Sequence, residues 1–258
     1  MENLNVTLVQ FDIVWEKKIE NLKKLDLLLS KNIKETDLII LPEMFTTGFS
    51  MRPERLAESM SGSTIQWMKK VAEEFNAVVC GSLVIEENTN YFNRMIWMRP
   101  DGSYSHYDKK HLFSLVAEQN HYTAGNSQTT VSLKGWNCSL QICYDLRFPV
   151  WCRNNNHYDL QIFVANWPDR RIDAWKTLLK ARAIENQTYI AAVNRVGYDG
   201  NQIYHSGYSS LISPDGEIVW NAADSEDVST IELNKEHLVS YRDKFRFLND
   251  KDKFTIHE

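Results

Sequence analysis

Hydrophobic positions change period several times along the chain, and each change marks an element. NVTLVQ alternates as a strand does, and residues 17–33 follow with Ile19, Leu22, Leu25, Leu29 and Ile33 at helical spacing. DLIILPE reads as a buried strand ending at Pro42, Ile65, Met68, Ala72 and Phe75 mark a second helix, and AVVCGSLVI a third strand. MIWMRPDGSYSHY then carries a Pro-Asp-Gly turn between two apolar runs, a hairpin signal resting on proline's fixed φ and glycine's tolerance of positive φ.

A similar order returns in the second half. CSLQIC and DLQIFVAN read as strands, residues 173–187 as a helix with Trp175, Leu178, Leu179 and Ala183 on one side, and TYIAAVN as a strand leading to a second Pro-Asp-Gly hairpin, SSLISPDGEIVW. Buried strands need cover on both faces. The pattern therefore predicts an α/β fold, a four-layer α-β-β-α sandwich with two sheets face to face and helices outside, as a single domain over residues 1–258.

Composition narrows the partners. Hydrophobic residues are 43% and charged residues 24%, ordinary for a globular chain, and the net charge of -5 gives no positive field for nucleic acid or anionic lipid. We expect neither nucleic acid nor membrane as a partner. MENLNVTLVQFDI lacks the basic and apolar regions of a cleavable signal, and the runs LIIL and YIAAV are too short to span a bilayer, so a cytoplasmic location is expected. Cys80, Cys138, Cys143 and Cys152 form no CxxC pair and no framework, which fits free thiols in a reducing compartment.

Three reactive groups stand where strands end. Glu43 follows LIILP, Cys143 follows CSLQI, and Lys109 follows the returning arm of the first hairpin. A strand-to-turn junction can project a nucleophile into a cleft while the following backbone N–H groups point at the same spot. A base, a cation and a thiol in such places can meet at one edge of a sandwich. Arginine six positions after the cysteine, as a phosphatase loop needs, is replaced by Pro149; no papain-like histidine context and no metal-ligand spacing is present, so no metal site is expected.

The segments LPEMFTTGF, YDKKHLF, CYDLRFP and NWPDRR...WKTLLKARAIENQTYIAAVNR resemble, in order and over nearly the whole chain, the motif series of the nitrilase superfamily, and look most like its omega-amidase branch. The resemblance implies a Glu43, Lys109, Cys143 triad, with Glu118 as a supporting glutamate and the backbone N–H of Tyr144 beside Lys109 as oxyanion donors. Its lysine-any-histidine-leucine frame selects Lys109, with His111 two residues on, and leaves Lys110 facing solvent. It implies hydrolysis of small omega-monoamides of dicarboxylic acids such as 2-oxoglutaramate and 2-oxosuccinamate, no cofactor, and a homodimer, with which the aromatic Phe245, Phe247 and Phe254 are consistent. Another carbon-nitrogen hydrolase or a silent binding protein on the same fold are the alternatives. For the substrate carboxylate, Arg147, Arg170 and Arg171 are candidates, Arg147 being equally placed to pair with Asp145. Asn166 and Trp167 are expected to line the pocket, with Phe45 and Tyr144 as walls.

Overall fold

The computed structural model describes residues 1–256. Two six-stranded sheets form its centre. The first contains β1 (Leu4–Gln10), β2 (Leu38–Ile40), β3 (Val78–Glu87), β4 (Asn90–Met98) and β5 (Tyr104–Asp108); the second contains β6 (Thr130–Leu133), β7 (Trp136–Ile142), β8 (Leu160–Ala165) and β9 (Tyr189–Asn194). A two-stranded arm, β10 (Val196–Tyr198) and β11 (Tyr204–Ser206), precedes β12 (Ser210–Ile212) and β13 (Ile218–Asn221) of the second sheet, and β14 (Asp227–Leu233) returns to the first. Helices α1 (Lys18–Asn32), α2 (Pro53–Leu56), α3 (Ser63–Phe75), α4 (Ile172–Asn186) and α5 (Lys235–Lys244) complete the order.

The strand orders are β14-β1-β2-β3-β4-β5 and β13-β12-β9-β8-β7-β6. In each, three parallel strands (β1, β2, β3 or β7, β8, β9) are followed by the two antiparallel strands expected from the Pro-Asp-Gly hairpins. The sheets stack with helices outside, as the pattern requires. Strand β2 illustrates why: Leu38 and Ile40 enter the cluster shared by the two sheets, while Ile39 enters the cluster under α1 and α3. All three are fully buried, each worth about 1.5–3 kcal/mol, so an unbroken apolar run is what this layer needs.

Three features depart from the pattern. Ile19, at helical spacing in α1, is 68% exposed, because the buried stripe there runs through Asn21, Leu25 and Leu29 instead. The edge strand β14 pairs with β1 over seven residues, Leu4 opposite Leu233 through Gln10 opposite Asp227, and its half-exposed Ser229 and exposed Thr230 and Glu232 hide it from hydrophobic patterning. The arm β10–β11 also lies outside the hydrophobic pattern, although an Asp-Gly turn marks it in VGYDGNQIYHS.

Candidate active site

The catalytic candidates meet at the carboxyl ends of the parallel strands, where open α/β sheets commonly form their clefts. Glu43 follows β2, Cys143 follows β7 and Asn166 follows β8, while Lys109 comes from the end of β5. Each occupies a position where backbone leaves its sheet, so its side chain is free of the ladder yet held by it.

Glu43 is fully buried. Its Oε1 accepts from Asn93 Nδ2 at 2.8 Å and Lys109 Nζ at 3.0 Å, and its Oε2 accepts from the Asn166 backbone N–H at 2.8 Å. The Asn166 side-chain amide also donates to the Glu43 carbonyl oxygen at 2.6 Å, so one asparagine fixes both ends of the residue. Lys109 Nζ completes its donors on Glu118 Oε1 and Oε2, both at 3.0 Å. Glu118 is fully buried, and its carboxylate also accepts from the Phe113 backbone N–H. A lone buried ammonium would be unfavourable; here two carboxylates surround it.

The charges are tuned by this packing. The Lys109 pKa lies above its ordinary value: burial works against the charged form, but Glu118 and Glu43 overcome it. Burial pushes Glu118 upward, opposed by Lys109. Burial also raises the Cys143 thiol well above its ordinary value, and the Glu43 charge and hydrogen bond add to the rise against Lys109. The thiol is therefore protonated at neutral pH with a carboxylate in reach of its proton. Cys143 has φ +46°, a left-handed conformation costing a non-glycine residue about 1–3 kcal/mol, at the start of the turn Cys143–Arg147.

The cleft above these groups has about 570 Å³ of free space, part of it open to solvent. Lys109, Cys143, Tyr144, Arg147, Asn166, Trp167, Arg170 and Arg171 line it, so nearly all the expected residues converge. Arg147 lies with Cζ 4.9 Å from the Trp167 ring centroid, and Arg171 with Cζ 5.1 Å from that of Phe113; Arg170 is exposed at the rim. Among the described residues none of the three arginines forms an ion pair. Burial lowers the Arg171 pKa, and the charges of Arg170 and Arg147 add to the fall against that of Cys143.

Two expectations need correction, and one alternative falls away. Phe45 does not wall the cleft: it is fully buried in the outer core, 5.9 Å from Trp67 between ring centroids, above Gly81 of β3. A Cβ on Gly81 would sit 2.9 Å from Phe45 Cδ1, so glycine there makes room for the ring, and Phe49 takes the place by the cleft instead. Arg147 does not pair with Asp145, whose carboxylate accepts from Tyr107, His111 and Ile142. Lys110 does not simply face solvent; it is half-buried, with Nζ 5.5 Å from the Trp151 ring centroid.

Phe113, Val116, Asp199, Ile203 and His205 also line the cleft and were missed. The last three come from the arm β10–β11 and its turn, which the Asp-Gly signal could have revealed. His205 is nearly fully buried, and burial with the Arg195 charge pushes its pKa down to about 4. Among the described residues no three His, Cys, Asp or Glu side chains converge as metal donors.

A family model described as carbon-nitrogen hydrolase matches residues 5–243. The chain is 44% identical over 259 residues to omega-amidase YafV of Escherichia coli (strain B / BL21-DE3), covering 99% of this chain and 100% of that protein. It is 33% identical over 250 residues to 2-oxoglutaramate amidase of Bacillus subtilis (strain 168), covering 95% and 96%. XC1258 from Xanthomonas campestris, a CN-hydrolase superfamily protein solved with an arsenic adduct in its active site, superposes with a TM-score of 0.97 at 41% identity, over 100% of both chains.

Proposed function

The chain belongs to the carbon-nitrogen hydrolase family, the nitrilase superfamily, and from that premise we propose that it is an omega-amidase releasing ammonia from small omega-monoamides of dicarboxylic acids, 2-oxoglutaramate and 2-oxosuccinamate among them. The carrying observation is the joining of a Glu43, Lys109, Cys143 cluster to three arginines without carboxylate partners in one cleft. The first group suits amide hydrolysis. The second suits a substrate with a carboxylate.

In the reaction, Glu43 takes the Cys143 proton as sulfur attacks the amide carbon, and the oxyanion is held by Lys109 Nζ and the Tyr144 backbone N–H. Glu43 then delivers the proton to nitrogen, the C–N bond breaks, and ammonia leaves an acyl thioester on Cys143. Glu43 next removes a proton from water, which attacks the thioester and releases the acid and the thiol. Proton transfer of this kind is worth ~10²–10⁴ in rate, and one oxyanion donor ~10²–10³. Glu118 supports by holding the ammonium in place. Asn166 and Trp167 line the pocket, and Arg147, Arg170 and Arg171 receive the distal carboxylate, guanidinium being suited to bind it bidentately.

We read residues 1–258 as one domain, supported by the span of the family match, and place the enzyme in the cytoplasm, which four cysteines free of disulfides support. Among the described residues no helix is long and apolar enough to cross a membrane. A homodimer is supported by exposed apolar side chains near the C-terminus, Phe247, Phe254 and Ile256, with Val150 near them. The test of function is ammonia release across a panel of omega-monoamides, neutral amides, carbamoyl compounds and nitriles. Faster turnover of the neutral amides or nitriles than of the anionic monoamides would refute the reading.

A further inference from the structure

The turn that carries Cys143 and the segment that carries Lys109 are tied to each other by a carboxylate with no place in the reaction above. Asp145 is fully buried two residues after Cys143. Its Oδ2 accepts from the Ile142 backbone N–H at 3.0 Å and from Tyr107 Oη at 2.8 Å. Its Oδ1 accepts from the His111 backbone N–H at 3.0 Å and lies 2.8 Å from His111 Nδ1. Four contacts from these three residues use the full accepting capacity of a carboxylate. The short Nδ1 contact assigns the proton to Nδ1, since the oxygen can only accept.

The placement of these partners is specific. Tyr107 and His111 stand two residues before and two after Lys109, and Ile142 immediately precedes Cys143. One carboxylate thus grips the nucleophile's turn, which it closes through Ile142, and the lysine's segment on both sides of the lysine. The grip is stiff. Tyr107 Oη also accepts from Trp151 Nε1 at 3.0 Å and from the Lys110 backbone N–H at 3.3 Å. His111 stacks on Phe148, with ring centroids 3.6 Å apart and planes 5° apart, and the Phe148 backbone N–H donates to the Asp145 carbonyl oxygen at 3.0 Å.

We propose that Asp145 is a positioning residue that, with Tyr107 and His111, sets Cys143 Sγ against the Lys109 ammonium and holds the left-handed conformation of Cys143. It touches no substrate. The proposal rests on the reading of Cys143 as nucleophile and Lys109 as oxyanion donor, two groups on separate sheets whose relative placement nothing local can determine. Misplacement by about 1 Å costs on the order of 10²-fold in such sites.

The test uses Tyr107→Phe, which removes one hydroxyl, Asp145→Asn, and the double variant, each with its melting temperature. Measured are kcat, KM and the rate at which iodoacetamide alkylates Cys143, followed by peptide mapping. Tyr107→Phe should remain folded, lose about tenfold in kcat with KM within twofold, and alkylate several-fold more slowly. Asp145→Asn should lose about 10²-fold or more in kcat, because an amide N–H₂ would face donors, and the losses in the double variant should fall short of their product, since both act through one hydrogen bond. Unchanged kcat and alkylation in Tyr107→Phe would overturn the proposal, as would a loss confined to KM. If the unmodified enzyme releases no ammonia from any amide, the functional reading fails; alkylation then decides this proposal alone, and equal rates across the variants overturn it.

Discussion

Replacing Lys109 with Met removes one charge and three hydrogen bonds while keeping an unbranched side chain to fill the space. In the native cluster Lys109 Nζ bonds Glu43 Oε1 and both oxygens of Glu118, each at 3.0 Å, and all three residues are at most 1% exposed. Without it, two buried carboxylates share a site with no counter-ion. Removing one partner of a buried ion pair costs about 3–5 kcal/mol, so the variant should melt well below the native enzyme at neutral pH. The loss should depend on pH in a definite sense. Glu118 is already raised by burial and then by Glu43, with Lys109 opposing, and the substitution deletes the opposition. A carboxyl group raised in the folded state keeps a proton that the unfolded chain has released. Stability therefore falls as pH rises from the ordinary carboxylate range to the raised value and is level above it, and acidification should return part of the loss. Turnover should fall by at least ~10²-fold through loss of the oxyanion donor. Lys110→Ala is the comparison: its Nζ stands 5.5 Å from the Trp151 ring centroid and outside the Glu43–Glu118 cluster, and kcat should stay within about twofold. Calorimetry from acid to neutral pH and ammonia release at saturating 2-oxoglutaramate measure both. An active Lys109→Met with a dead Lys110→Ala would refute the assignment, and a pH-independent stability loss would refute the electrostatic account.

Cys143→Ala should abolish ammonia release with the fold intact, whereas Ala at Cys80, Cys138 or Cys152 should retain activity; an acyl adduct mapped to another cysteine would refute this. Because burial and Glu43 raise the Cys143 thiol, its ultraviolet thiolate band should be absent at neutral pH, and a band lost on Cys143→Ala would contradict the neutral resting thiol. His205 has its folded pKa lowered from 6.5 to about 4, so the unfolded chain takes up a proton first on acidification and stability should fall by up to about 3 kcal/mol between those values; His205→Gln should flatten that part of the melting profile. Arg147→Ala and Arg171→Ala should each raise KM for 2-oxoglutaramate about tenfold, the loss of a charge-assisted hydrogen bond, and leave KM for an uncharged amide unchanged. Light scattering at micromolar concentration should give the mass of a dimer, and a monomeric mass would count against the C-terminal apolar surface as an interface.

Much was determined by the sequence alone, because the interactions involved are local or periodic. Residues Leu38, Ile39 and Ile40 are apolar on both faces, so their strand had to lie between two covering layers, and the Pro-Asp-Gly turns defined their hairpins without reference to the rest of the chain. Glu43, Lys109 and Cys143 each follow a strand, and the resemblance of LPEMFTTGF, YDKKHLF and CYDLRFP to the family's motifs singled them out. Tertiary structure alone decided what depends on two distant segments meeting. Strand β14 is a half-polar edge whose pairing with β1 joins segments 223 residues apart at Thr7 and Thr230. Phe45 and Phe49 are both apolar and four residues apart, yet Phe45 enters the core against Gly81 and Phe49 borders the cleft. Asp145 looked as ready to pair with Arg147, two residues on, as with anything else; the fold instead brings Tyr107 and His111 to it from the other sheet. Local pattern records what a residue can do, but a carboxylate's partner is decided by which donors are desolvated beside it, and here those donors arrive from 38 and 34 residues away.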